Sequence, residues 1–80
     1  MTEAEAIKVV TKRQRELRIP AAMKPASAEK ALVEYTKDRS RPGPIENRIA
    51  WIVTLLSSTG YVNVHVDDRT GEVLDVRRSA

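Results

Sequence analysis

Eighty residues without cysteine are enough for one small domain that has neither disulfides nor thiolate metal sites. The 14 basic and 11 acidic side chains give a net charge of +3, which does not by itself indicate nucleic-acid binding. No apolar run approaches the roughly 18 residues of a membrane span, and residues 1–6 do not resemble a secretion signal. We therefore expect no membrane insertion by this chain, and its compartment is left open.

An amphipathic helix is predicted over about residues 3–18. Thr2 can cap its start, and the acidic residues of the first turn suit the positive end of the helix dipole. Pro20 forces the preceding residue out of the helical region, so we expect the helix to end near Arg18. The side of the helix that docks is formed by Ala6, Ile7, Val10, Gln14 and Leu17.

The middle of the chain gives a weaker pattern. Residues 21–27 have the composition of a connector, and residues 28–38 fit a helix or a strand. We favour a strand at 30–36, because the following loop, residues 40–44, then has two strands to connect. Two prolines around Gly43 prevent this loop from continuing either element.

Three further strands are predicted at 49–56, 61–67 and 72–77. Residues 49–56 are apolar at both even and odd positions, which indicates a central strand or one covered on both faces. Residues 57–60 make a hairpin connection, and a turn that starts at Asp68 and ends at Gly71 joins the last two strands. The predicted class is α+β, with an N-terminal helix packed on a three- to four-stranded antiparallel β-sheet arranged as a meander.

This pattern resembles the PepSY family, small domains of thermolysin-type peptidase propeptides and of many exported bacterial proteins. The matching segments are 4–7, 50–53 and 64–74, the last with an Asp followed by Thr-Gly-Glu-Val. The resemblance implies a helix on one face of an antiparallel sheet. It also implies a role in binding or inhibiting a peptidase, without catalysis and often outside the cytoplasm.

Two groups of residues suggest metal binding, and neither reaches a complete ligand set. His65 and Asp67 share one strand face, but a catalytic zinc site needs three protein ligands. Asp67, Asp68 and Glu72 surround the turn without the ligand spacing of a calcium loop. The hydroxyls of residues 57–59 have no nearby base. We therefore predict no catalytic residue, no metal ligand and no cofactor, and thus a protein that is not an enzyme.

A basic surface is the basis of an alternative function. Residues 12–18 contain four basic side chains, and a phosphate-binding surface would add Arg39, Arg41, Arg48, Arg77 and Arg78. The helical wheel spreads the four over both sides of the helix. A small nucleic-acid-binding domain is therefore the alternative to protein binding.

Protein binding is the favoured function, because one helix can cover only one face of a small sheet. Trp51 shares a face with Ile49, Val53 and Leu55, whereas Ile52 and Leu56 point the other way. Whichever face is uncovered can bind a protein, either a peptidase or a second copy of the chain. The predicted partner-binding residues are Trp51, Tyr35, Val53, Tyr61 and His65.

Overall fold

The computed structural model describes residues 1–36 and 43–79. Helix α1 spans Glu3–Lys12 and precedes four strands: β1, Lys24–Tyr35; β2, Glu46–Ser57; β3, Gly60–Asp67; and β4, Val73–Arg78. The strands form one antiparallel sheet in the order β1-β2-β3-β4. The predicted α+β class, with a helix on an antiparallel meander, is confirmed.

Helix α1 begins at a capping box. Thr2 Oγ1 accepts a hydrogen bond from the Glu5 N–H at 3.2 Å, and the Glu5 side chain accepts one from the Thr2 N–H at 2.9 Å. Two otherwise unpaired donors of the first turn are thereby satisfied. Ala6 and Val10, four residues apart on the predicted docking side, are fully buried.

The regular helix ends six residues before the predicted position, and hydrogen-bonded turns continue to Arg18. The Arg18 N–H donates to Arg15 O at 3.1 Å, and the Ile19 N–H donates to Gln14 O at 3.0 Å. Together with the left-handed φ of 57° at Arg18, this is a Schellman motif. The Gln14 side chain then donates to Pro20 O at 2.8 Å, which helps to turn the chain towards the sheet.

Strand β1 starts six residues earlier than predicted. Pro25, which we assigned to a connector, lies in this strand next to an irregularity between Pro25 and Ser27. An edge strand tolerates proline, because its outer N–H groups have no partner in the sheet. Residues 28–38, which fit either a helix or a strand by sequence, form a strand as far as Tyr35. Thr36 follows the strand without belonging to it, and residues 37–38 and most of the predicted loop at 40–44 lie outside the described residues.

Strand β2 is central and longer than predicted. Its second part, Ala50–Ser57, lies opposite residues of β3, whereas Glu46–Ile49 lies opposite residues 32–35 of β1 and beyond the end of β3. Ile49 O, at the boundary, accepts a hydrogen bond from the Asp68 N–H at 3.0 Å. The end of the β1–β2 pair therefore extends beyond the rest of the sheet. We call these residues, 32–35 and 46–49, the two-stranded arm.

The turn between β3 and β4 starts one residue earlier than predicted. Asp67, and not Asp68, caps it: Asp67 O accepts from the Gly71 N–H at 2.9 Å, and Asp67 Oδ1 accepts from the Arg69 and Thr70 N–H groups. Gly71 has the expected left-handed φ, at 75°. The bonds to Asp67 Oδ1 form a side-chain turn that suits aspartate.

The core lies between the helix and one face of the sheet. Helix side chains and the connector's Ile19 and Met23 meet alternate residues of β2 and β3. The sheet residues buried in this core are Val53, Leu55, Val62, Val64 and Val66. Ala50 and Asp67, which point to the opposite face, are buried as well. The single helix thus covers one face, and no second helix among the described residues covers the opposite face.

Adjacent leucines in β2 test which face is covered. Leu55 is completely buried, so Leu55→Ala should lower the free energy of unfolding by about 2–5 kcal/mol. Leu56 is 49% exposed on the opposite face, so Leu56→Ala should cost less than about 1 kcal/mol. Urea denaturation measures both values, and equal losses would contradict the assignment of the core.

The Schellman motif gives a second stability prediction. Because a side chain at a left-handed φ costs about 1 kcal/mol, Arg18→Gly should raise the free energy of unfolding by roughly 0.5–1 kcal/mol. Arg18→Ala keeps the strain and is the matched control, which should show no gain. If Arg18→Ala raised the free energy of unfolding as much as Arg18→Gly, the gain would come from the lost charge and not from relief of backbone strain.

Candidate partner-binding face

The face of the sheet away from the helix is the candidate binding surface. Residues that lie opposite each other in antiparallel strands share a face, so the strand register defines the whole set. We call this set the open face, and its members are Lys24, Ser27, Glu29, Ala31, Val33 and Tyr35 of β1, Glu46, Arg48, Ala50, Ile52, Thr54 and Leu56 of β2, Tyr61, Asn63, His65 and Asp67 of β3, and Asp75 and Arg77 of β4.

The five predicted partner-binding residues divide between the two faces. Tyr35, Tyr61 and His65 lie on the open face, at three separate positions. Trp51 and Val53 lie on the face that packs against the helix. Val53 is fully buried, so its side chain is part of the core and offers no surface to a partner in this structure. The sequence pattern could not separate the two sets, because both faces of β2 are apolar.

Large apolar side chains distinguish the open face from an ordinary solvated sheet surface. Leu56 is 49% exposed and Tyr61 is 45% exposed, and the two lie directly opposite each other. Ile52 and Val33 are half-buried on the same face. Solvated faces of antiparallel sheets usually carry polar residues, so this composition indicates a surface that another molecule can cover.

Arg48 forms the polar end of the open face, on the two-stranded arm. Its guanidinium lies 4.6 Å from the centre of the Tyr35 ring, a cation–π contact. It also bonds to Glu46 at 3.0 Å and to the buried Asp67 carboxylate at 3.3 Å. These contacts hold Tyr35 and the arm against the end of β3.

A groove of about 320 Å³ crosses the open face between the arm and β4. Val33 and Tyr35 line one side, and His65 lines the floor. Leu74 lines the other side, at the irregularity in the β3–β4 register where His65 and Val66 face Asp75 and Val73. The volume is at the lower end of the range for ligand pockets and suits a side chain of a bound peptide.

The acidic residues that we considered as metal ligands, and for which we predict no metal site, have other roles in the structure. Asp67 receives the Arg69 N–H at 2.8 Å, the Thr70 N–H at 3.0 Å and Arg48, so its carboxylate holds the turn and the arm. Glu72 lies 3.6 Å from the same guanidinium. Among residues 1–36 and 43–79, no three His, Asp or Glu side chains are grouped as metal ligands.

Asp68 makes a second cluster, on the helix side of the sheet. The Trp51 indole Nε1–H donates to Asp68 Oδ1 at 2.7 Å, and the Lys30 ammonium lies 3.5 Å from Oδ2. The same ammonium lies 5.8 Å from the centre of the Trp51 ring. Sequence reasoning missed this cluster. The alignment of β2 with β3 is the signal that could have found it. Trp51 lies opposite Val66, and Asp68, two residues after Val66, points to the same face.

These contacts lower the pKa of both aspartates. The indole hydrogen bond lowers the pKa of Asp68 most, and the positive charge of Lys30 adds to the effect. Burial raises the pKa of Asp67, but the donated hydrogen bonds of Arg69, Thr70 and Arg48 outweigh it, so the pKa of Asp67 is also lowered.

Three basic residues of the predicted phosphate-binding set have partners in the structure, and they do not share one side of the sheet. Arg78 donates to Leu17 O at 2.6 Å and so ties β4 to the end of the helical segment. Arg13 pairs with Glu16 on the helix side, and Arg77 pairs with Asp75 on the open face. The positions 39 and 41 of the predicted set lie outside the described residues.

Comparisons with protein-family models, with curated proteins and with solved structures find no match for this chain. The PepSY resemblance therefore stays a prediction. Within the described residues, the helix is neither long nor apolar enough to cross a membrane.

The Asp68 cluster makes stability depend on pH. A carboxylate whose pKa is lowered by folding stabilises the fold above the unfolded pKa, about 3.9, and this contribution is lost as the pH falls through the lowered value. Trp51→Phe removes the indole donor but keeps an aromatic ring. We expect the pKa of Asp68 to rise in the variant and acid unfolding to begin at a higher pH.

Carboxyl carbon shifts in an NMR titration measure this pKa directly. The pKa of Asp67 is the internal control, because Trp51 does not contact that carboxylate and the value should stay the same. An unchanged Asp68 pKa in Trp51→Phe would contradict the assigned hydrogen bond.

Proposed function

We propose that this domain is a non-catalytic protein-binding module that acts through its open face. The observation that carries the proposal is the group of apolar side chains on the face that the helix leaves uncovered. Leu56 and Tyr61 are each close to half exposed, and Ile52 lies on the same face, beyond the Thr54–Asn63 pair and nearer the middle of the strand. Covering such side chains with a partner is favourable by about 25 cal/mol per Å² of apolar surface.

The arrangement of the open face suits a protein partner. Tyrosines lie towards its two ends, and tyrosine is enriched among the residues that dominate binding energy at interfaces. Polar groups of His65, Asn63 and Arg48 lie between and around the apolar side chains, as at the rim of a protein interface. The groove beside His65 can receive one side chain of the partner.

A peptidase is the partner that we propose, on the basis of the PepSY resemblance. In that family, small domains of this kind bind or inhibit peptidases, and the hairpin residues 64–74 carry the resemblance here. The open face would then contact the peptidase, while the helix and the core hold the face in shape.

Nucleic-acid binding has less support from the geometry. A phosphate-binding surface requires several unpaired cations on one side of the molecule. Arg48, Arg77 and Arg13 each pair with a carboxylate, and Arg78 bonds to backbone oxygens. The open face lacks a row of aromatic residues on which successive bases could stack.

Inhibition of thermolysin-type metallopeptidases tests the proposal. We expect the purified domain to reduce peptide hydrolysis by such an enzyme, and Ile52→Ser, in the centre of the open face, to weaken the inhibition at least about tenfold. Ile49→Ser is the matched control, because Ile49 belongs to the same strand, is 53% exposed and lies on the other face. It should inhibit as the wild type does.

Two outcomes would count against the proposal. An equal loss of inhibition in Ile52→Ser and Ile49→Ser would show that the open face is not the binding surface. No inhibition of any such peptidase, together with oligonucleotide binding that weakens steeply with salt, would favour the nucleic-acid alternative.

A further inference from the structure

We propose that two copies of this chain associate through the outer edge of β1, with their strands antiparallel and Leu32 opposite Leu32 of the second copy. The inference concerns the edge of the sheet, so it does not depend on what the open face binds. It would join two four-stranded sheets into one of eight strands.

Strand β1 is an edge with little protection. In the described residues, β2 is its one neighbour in the sheet. Natural edges avoid further pairing through prolines, bulges or short strands. Here Pro25 and the adjacent irregularity protect the start of the strand, whereas residues 27–35 pair regularly with β2 and contain no proline or glycine. In the proposed register, residues 29–35 pair with the same residues of the second copy, over roughly 24 Å.

Charge complementarity selects the register. With Leu32 opposite its own copy, Lys30 lies opposite Glu34 of the second copy, and by symmetry Glu34 lies opposite Lys30. Opposite charges at such cross-strand positions stabilise a sheet. Two small apolar side chains also meet in this register, because Ala31 lies opposite Val33 of the second copy.

Neighbouring registers lose this match. A shift by one residue towards the N-terminus sets Glu29 opposite Glu34 of the second copy, and like charges there are destabilising. Centring the pair on Val33 sets Glu34 opposite Leu32. Centring it on Lys30 sets two lysines against each other.

The proposed register also covers the most exposed large apolar residue of the structure. Leu32 is 68% exposed, and its partner in β2, Ile49, is 53% exposed. Both point to the helix side of the sheet, on the arm that the helix does not reach. In the dimer, the Leu32 and Ile49 side chains of the two copies would form one continuous row of four.

The same register determines how the two copies are oriented. Opposite residues share a face, and residues of equal parity pair in this register, so both helices lie on the same side of the joined sheet. The two open faces then form one continuous surface on the other side. Strand-edge pairing of this length is at the small end of stable interfaces, so we expect association to depend on concentration.

Charge reversal tests the pairing directly. Sedimentation equilibrium, at concentrations from roughly 10 µM to 1 mM, should show dimers for the wild-type chain. Glu34→Lys and Lys30→Glu should each weaken dimerisation at least about tenfold, because two like-charged pairs replace two attractive ones. An equimolar mixture of the two variants should form heterodimers again, because its pairs have opposite charges.

Glu29→Lys is the matched control, since it makes the same charge change in the same strand but lies opposite Tyr35 of the second copy. It should dimerise as the wild type does. Lys30 also contacts Asp68, so urea midpoints are measured for all variants to show that each is folded. A wild-type chain that stays monomeric at every concentration would overturn the proposal, as would a mixture of the two variants that stays monomeric although both are folded.

Discussion

The structure depends on how little of the sheet one short helix can cover. Helix α1 has ten residues, about 15 Å of length, whereas β1 and β2 have twelve residues each, about 40 Å. The helix therefore buries part of one face, and Ile52 and Leu56 of β2, on the other face, stay in contact with water. Both proposed interactions, protein binding by the open face and association through the edge of β1, follow from this incomplete cover. The open face and the exposed Leu32–Ile49 pair are the apolar surfaces that the helix does not reach.

Two adjacent aspartates hold the sheet together from opposite sides. Asp67 points to the open face, where it caps the turn and pairs with Arg48 of the arm. Asp68 points to the helix side, where it accepts the indole hydrogen bond of Trp51. Both therefore tie the β3–β4 turn to β2. Their lowered pKa values follow from these bonds, because each donor favours the charged carboxylate.

Strong local signals made most of the fold predictable. Alternation identified β3 and β4, the capping Thr2 marked the helix start, and Gly71 marked the turn. Pro25 concealed the start of β1, because a proline in a strand is acceptable only at an edge and the edge was unknown. The face of the sheet on which Trp51 lies could not be predicted, since β2 is apolar at both its even and its odd positions. The roles of the two aspartates were not distinguishable either, because a one-residue change in where β3 ends would exchange them.

Solvent contact of methyl groups in β2 tests the central claim, that one face of the sheet is covered and the other is open. Relaxation of assigned methyl signals by a water-soluble paramagnetic agent reports this contact for each side chain. We predict strong enhancement for Ile52 and Leu56, and almost none for Val53 and Leu55, in the same strand. Equal enhancement of the four, or protection of Ile52 and Leu56 in the isolated monomer, would contradict the account.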